Sequence, residues 1–123
     1  GHAGWRARNF IQDEPFAVLL ADDLILSRTS CLAQMMEAYN EIGGNMVAAM
    51  EVPKEKTSSY GVVTPGEVKD RLVEVKGLVE KPKPEDAPSN VAVIGRYILQ
   101  PEIFHQLSLK QTQIWRSPLI GMI

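Results

Sequence analysis

The sequence predicts a mixed α/β sheet, and three observations carry that prediction. In the first half of the chain, short apolar runs alternate with an amphipathic helical stretch. Between residues 60 and 99, strand-like runs follow one another with only turns and a loop between them. No segment repeats another and none is of low complexity, so the pattern describes one domain or a piece of one.

Residues 1–12 read as the tail of a helix. Gly4 weakens it and no capping residue precedes it, so the helix is expected to begin before this chain does. Phe16 to Leu20 is an unbroken apolar run after Pro15, which predicts a strand buried on both faces. It ends at Asp22-Asp23, the carboxyl end where open α/β sheets hold ligands. Ser30 suits a helix N-cap, and Leu32, Met35, Met36 and Tyr39 keep the i, i+3, i+4, i+7 spacing up to the stop at Gly43-Gly44. Asn45 to Val52 predicts a second buried strand, closed by Pro53 and the charged Lys54-Glu55-Lys56.

Tyr60 to Val63 reads as a short strand ending in the turn signature Thr64-Pro65-Gly66. Leu72 to Val79 resumes the β pattern as its antiparallel neighbour, with Gly77 as a bend or bulge. Lys81 to Ser89 holds three prolines and four charged residues, which predicts an exposed loop. Val91 to Leu99 is a further apolar strand, and Pro101 opens a short helix carrying Ile103, Phe104 and Leu107. From Ser108 onward the pattern fades, so residues 1–108 are read as the domain portion and 109–123 as a divergent tail.

At 45% hydrophobic and 23% charged, the 123 residues fall in the ordinary globular range. Thirteen Lys plus Arg against fifteen Asp plus Glu give a net charge of −2 without long runs of one sign. Broad electrostatic binding to nucleic acid or an acidic membrane is therefore not expected, and any anion is bound locally. The single cysteine, Cys31, has no internal disulfide partner and lies among Leu32, Met35 and Met36, as a buried thiol in a reducing compartment would. No apolar run is long enough to span a bilayer and no signal peptide is apparent, so the expected address is the cytoplasm.

Few residues invite chemistry by type and position. Asp22 and Asp23 could each ligate a magnesium ion whose other ligands are phosphate and water, or serve as a cap or solvated turn. Glu80-Lys81 couples a hydrogen-bond acceptor for hydroxyls with a mobile cation for a phosphate. The same pair could equally be solvated surface. Gly61 permits close approach of a ligand to the backbone, or marks a bend. His2 and His105 have no partners at zinc-ligand spacing, and His105 is expected on the surface of its helix.

Taken in order, Gly1-His2-Ala3, Leu19-Leu-Ala-Asp-Asp23, Tyr60-Gly-Val-Val63, Val79-Glu-Lys-Pro82 and Ala87-Pro-Ser-Asn-Val-Ala-Val-Ile-Gly-Arg-Tyr97 resemble the bacterial uridylyltransferases that act on UTP and glucose 1-phosphate. These belong to the wider sugar nucleotidyltransferases. The resemblance runs over about residues 1 to 108 and implies a Rossmann-like, three-layer α/β/α mixed sheet, incomplete at the N-terminus. It implies UDP-glucose and pyrophosphate as products, with Mg2+ as cofactor. Asp22 would hold the metal with Asp23 beside it, and Lys81 would bind the phosphate of glucose 1-phosphate. Gly61 and Glu80 would contact the sugar, and Val93 would line its pocket. Gly1 and His2 match the end of a glycine-rich nucleotide-binding segment. A full-length member of the family is expected to be a homo-oligomer.

Two departures stand against this pattern. The Gly-x-Gly-Thr-Arg loop for the triphosphate would precede Gly1, and a Gly-Glu-Ile-Gln-Leu-Thr-Asp segment with a second metal acid is replaced by Gln111-Thr-Gln-Ile-Trp-Arg-Ser-Pro-Leu-Ile-Gly-Met-Ile123. A divergent, truncated copy or a shifted reading frame would give this. The expectation is a fragment with little turnover by itself. The alternatives are another sugar-1-phosphate nucleotidyltransferase, such as a thymidylyltransferase, and a non-catalytic sugar-phosphate-binding or interaction remnant. Exposed strand edges and unburied apolar surface are expected as well.

Overall fold

The computed structural model describes residues 2–22, 25–26, 28–108 and 119–122. In chain order these form α1 (His2–Ile11), β1 (Phe16–Leu19), α2 (Cys31–Ile42), β2 (Asn45–Glu51), a 3-10 turn (Lys54–Ser59), β3 (Gly61–Lys69), β4 (Leu72–Glu80), β5 (Val91–Leu99), α3 (Ile103–Ser108) and β6 (Leu119–Met122). The strand order is β1-β5-β2-β6-β4-β3, with a further pairing of β5 to β3. All pairings are antiparallel except β2 with β6. Because β3 returns to β5, the strands β5, β2, β6, β4 and β3 close a ring of pairings.

Apolar residues are buried on both faces of the sheet. On one, α2 lays Met35 against Met46, Ala48 and Ile98, flanked by Cys31, Leu32, Ala38, Tyr39 and Ile94. On the other, Val47, Ala49, Val63, Val75 and Val91 form a second cluster with Leu78, Val93 and Tyr97. Register puts Val18 opposite Tyr97, and so Phe16 on this second face, where its ring stacks on Phe104 of α3 at 5.1 Å between centroids. With α1 packed beside α3, the layers are helix, sheet, helix, the predicted α/β class.

Local chemistry accounts for α2. The Ser30 hydroxyl accepts from the Ala33 N–H at 3.1 Å, satisfying one of the free donors of the first turn. Gly43, at φ 64, donates its N–H to the Tyr39 carbonyl at 2.7 Å and ends the helix. Ser30→Ala should lower stability by about 1 kcal/mol in urea denaturation. A change below a few tenths would show that tertiary packing alone sets the start of this helix. Met36 was expected on the buried stripe but is 44% exposed. It lies roughly 100° around the helix from the stripe's centre at Met35.

Three further expectations are corrected. The strand at Phe16 is not buried on both faces: Ala17 and Leu19 are exposed, Leu19 to 52%. Strand β1 lies at the end of the sheet, and α2 packs mainly over β2 and β5. The segment Thr64-Pro65-Gly66 does not turn. Strand β3 continues through it to Lys69, with register shifts on both sides of Pro65. Pro65 is tolerated because a bulge relaxes the demand for a ladder donor, and the reversal comes instead at Asp70, whose φ is 54. Gly77 adjoins the first shift, opposite Thr64, as a bulge-associated glycine would. Finally, β6 arises within the stretch where the pattern fades.

Candidate functional site

Strand register builds one cross-strand row. Glu80, the last residue of β4, pairs with Gly61, the first of β3. Val62 pairs with Ala92 of β5, which sets Gly61 beside Val93, and Val93 in turn pairs with Ala49 of β2. The period of two along each strand puts these residues on the same face as Val63, Leu78 and Val91, opposite α2. Three of the predicted sugar-contacting residues, Glu80, Gly61 and Val93, are thus neighbours on one surface.

Gly61 leaves room that the neighbouring carboxylate uses. A Cβ built there would lie 3.2 Å from Glu80 Oε2, so the absence of a side chain lets Glu80 lean over β3. Lys81 follows with φ 46, in the left-handed region that disfavours a branched or bulky residue. Its N–H donates to the Tyr60 carbonyl at 2.9 Å and fixes that conformation at the point where the chain leaves the sheet. The ammonium lies 4.0 Å from Glu80 Oε1, with the Lys81 and Glu80 side chains 64% and 76% exposed. An ion pair so exposed is weak, and the cation remains available to an anion.

The acidic end of β1 approaches the same place. Strand β2 occupies one edge of β5, so β1 and β3 share the other. Leu20 N–H donates to the Gly95 carbonyl at 2.9 Å, and Arg96 Nη1 donates to the Leu20 carbonyl at 2.9 Å. The carboxyl end of β1 and the start of β3 therefore abut along β5, and Asp22 is exposed on the turn leaving this junction. Asp23 and Gly1 lie outside the described residues, as does the side chain of His2, which is the first residue of α1. Among the described residues, no three His, Cys, Asp or Glu side chains converge on a metal position. Asp22 offers one hard oxygen donor, which fits a magnesium ion completing its shell with phosphate and water.

Elsewhere the chemistry is quiet. Burial pushes the Cys31 pKa up, opposed by the Arg96 charge, so the thiol stays protonated at neutral pH and is a poor nucleophile. His105 is exposed, as expected. A cavity of about 620 Å³ lies between α1 and α3, lined in part by Arg8, Asp13, Glu102 and His105, away from the row. No described helix is long and apolar enough to cross a membrane. Sequence reasoning missed Ser89, whose hydroxyl joins β3 to β5. The signal was present, since Ser89 stands between a proline and an asparagine at the mouth of a strand, where short hydroxyl side chains bond to the backbone.

The sequence and the fold are shared with known proteins. UTP-glucose-1-phosphate uridylyltransferase of Komagataeibacter xylinus is 52% identical over 107 residues, which cover 87% of this chain and 38% of the relative. The protein of the same name from Bacillus subtilis is 47% identical over 111 residues, covering 90% and 38%. The chain thus spans little more than a third of the length of these curated relatives. A crystal structure of UDP-glucose pyrophosphorylase complexed with UDP-glucose superimposes with a TM-score of 0.89 at 41% identity, over 98% of this chain and 52% of that one. A UTP-bound UDP-glucose pyrophosphorylase from Acinetobacter baumannii gives 0.84 at 27% identity, over 98% and 47%. A glucose-1-phosphate thymidylyltransferase structure from Bacillus anthracis, at 20% identity and a TM-score of 0.69, shares the fold alone. The nucleotidyl transferase family pattern matches residues 2–120, nearly the whole sequence, and the chain belongs to that family.

Proposed function

We propose that this chain carries the sugar-phosphate half of a site that forms UDP-glucose and pyrophosphate from UTP and glucose 1-phosphate. The row Glu80, Gly61, Val93 with Lys81 at its end is the observation that carries the reading. A carboxylate accepts from sugar hydroxyls, a bare backbone lets the ring approach, an apolar side chain meets its face, and an ammonium meets the phosphate. Sequence identity of about half with uridylyltransferases over most of the chain supports the choice of substrates. The thymidylyltransferase likeness extends only to fold.

The reaction on this reading is an in-line attack by the sugar phosphate oxygen on the α-phosphorus of UTP, with pyrophosphate leaving. Both reactants are polyanions, so the protein's work is alignment and charge compensation. Lys81 offsets phosphate charge, while Glu80 and Gly61 fix the sugar. Asp22 is the carboxylate suited to hold magnesium, which when bound supplies further charge compensation on the phosphates. Gly1 and His2 belong to the nucleotide side. A cytoplasmic setting and self-association of the full-length protein go with this reading.

Since the chain spans 38% of its relatives, binding without appreciable turnover is the expected behaviour. Calorimetric titration should show glucose 1-phosphate binding that Lys81→Ala weakens about 10- to 100-fold, the worth of a hydrogen bond to a charged group. Wild-type protein that does not bind, or equal affinity in the variant, would overturn the reading. A robust rate of UDP-glucose formation, abolished by Asp22→Ala, would overturn the expectation of little turnover.

A further inference from the structure

We propose that Ser89 is a positioning residue that sets the width of the seam between β3 and β5 beneath the sugar. The inference rests on the sugar-phosphate reading above. Val62 of β3 pairs with Ala92 of β5, and this register brings Val63 opposite Val91 on one side and Gly61 opposite Val93 on the other. In a plain antiparallel ladder, backbone groups bond directly across such a seam. Here the Ser89 hydroxyl stands between them. It donates to the Val63 carbonyl at 2.6 Å and accepts from the Val91 N–H at 3.1 Å. One hydroxyl thus bonds to both strands and clips the end of the ladder next to the direct Val62–Ala92 pairing.

Val63 is 1% exposed and Val91 7%, while Ser89 is half-buried at the mouth of β5, so the bridge closes the ladder where it meets solvent. Without it the Val63 carbonyl and the Val91 N–H must shift to new partners or go unpaired at the end of the ladder. Either change moves Gly61 relative to Val93, two residues along from the bridge, and Glu80 moves with Gly61 as its cross-strand partner. Lys81 is anchored separately, through its N–H to the Tyr60 carbonyl. Loss of Ser89 therefore disturbs the sugar end of the row and spares the phosphate end.

Titrations of the wild type, Ser89→Ala, Ser89→Thr and Lys81→Ala with glucose 1-phosphate and with inorganic phosphate test this. Ser89→Ala should weaken glucose 1-phosphate about tenfold, the scale of one misplaced polar contact, while leaving inorganic phosphate unchanged. Ser89→Thr, which keeps the hydroxyl, should restore the wild-type ratio of the two affinities. A role in stability alone would lower the fraction of active protein without moving that ratio. If Ser89→Ala does not fold, Ser89→Cys, with its weak donor, takes its place in the same comparison. A wild type that ignores glucose 1-phosphate, or a Lys81→Ala that binds it equally well, sinks the functional reading and this proposal with it. If Lys81→Ala is weakened but the Ser89→Ala ratio is unchanged, or Ser89→Thr gives no rescue, the proposal for Ser89 alone is overturned.

Discussion

Met46→Ala is expected to lower the stability of this chain by about 2–5 kcal/mol, a large share of the roughly 5–15 kcal/mol that holds a typical domain together. Met46 is fully buried in β2, packed with Met35 of α2, Ala48 and Ile98. Neighbouring strands restrict collapse around it, because Met46 pairs with Ile98 on one side and Ile120 on the other. Removing its side chain therefore loses apolar burial and leaves a void that the sheet cannot easily close. Urea denaturation should show a lower midpoint at unchanged slope. Met36→Ala, on the exposed side of α2, serves as the control and should stay within about 0.5 kcal/mol. Equal effects from the two variants would contradict this account of the core.

Gly61→Ala should separate stability from binding. Its φ lies outside the left-handed region, so alanine suits the backbone there and restricts the unfolded chain, for a stability change between zero and a gain of about 1 kcal/mol. The new Cβ lies 3.2 Å from Glu80 Oε2, however, and the exposed carboxylate can yield only by swinging off β3. The sugar would lose both its close approach to backbone and its hydroxyl acceptor. Glucose 1-phosphate affinity is expected to fall about 10- to 100-fold, read by titration alongside urea denaturation of the same sample. Unchanged affinity would remove Gly61 and the pose of Glu80 from the site.

Much of the architecture was legible where one local cause decides one outcome. Ser30 and Gly43 bracket α2 because a hydroxyl and a left-handed glycine satisfy the ends of a helix wherever it packs. The apolar run of β2 is buried on both faces, as its lack of alternation requires. Legibility failed where distant pairing overrules local preference. Thr64-Pro65-Gly66 carries turn chemistry, yet β4 draws it into a bulged strand. The run at Phe16 has the composition of a central strand, but composition does not record that its place is at the end of the sheet. Leu119 to Met122 is too short to announce itself in a stretch where the pattern fades.

The candidate site divides along the same line. Glu80, Lys81 and Gly61 could be named from local motifs, and the resemblance added Val93 and supplied the expected roles. That three of them form a row depends on β3 meeting β5 at Val62 and Ala92, a pairing between segments far apart in sequence. The bridge made by Ser89 depends on that same pairing. Asp22 is reached by a different route, since β1 and β3 come together only because β2 already occupies the opposite edge of β5.

The ring of strand pairings has a consequence for how this polypeptide is made. Strand β6 is the last described element to leave the ribosome, and among the described elements it is the one that pairs directly with both β2 and β4. Until it arrives, both strands present open edges to whatever else is at hand. Closure requires β6 to travel back and lie parallel to a strand synthesised far earlier, a slow, entropically costly search. The ring of pairings therefore closes only after synthesis has passed Met122, and the interval before that is when nascent copies are most exposed to pairing with one another.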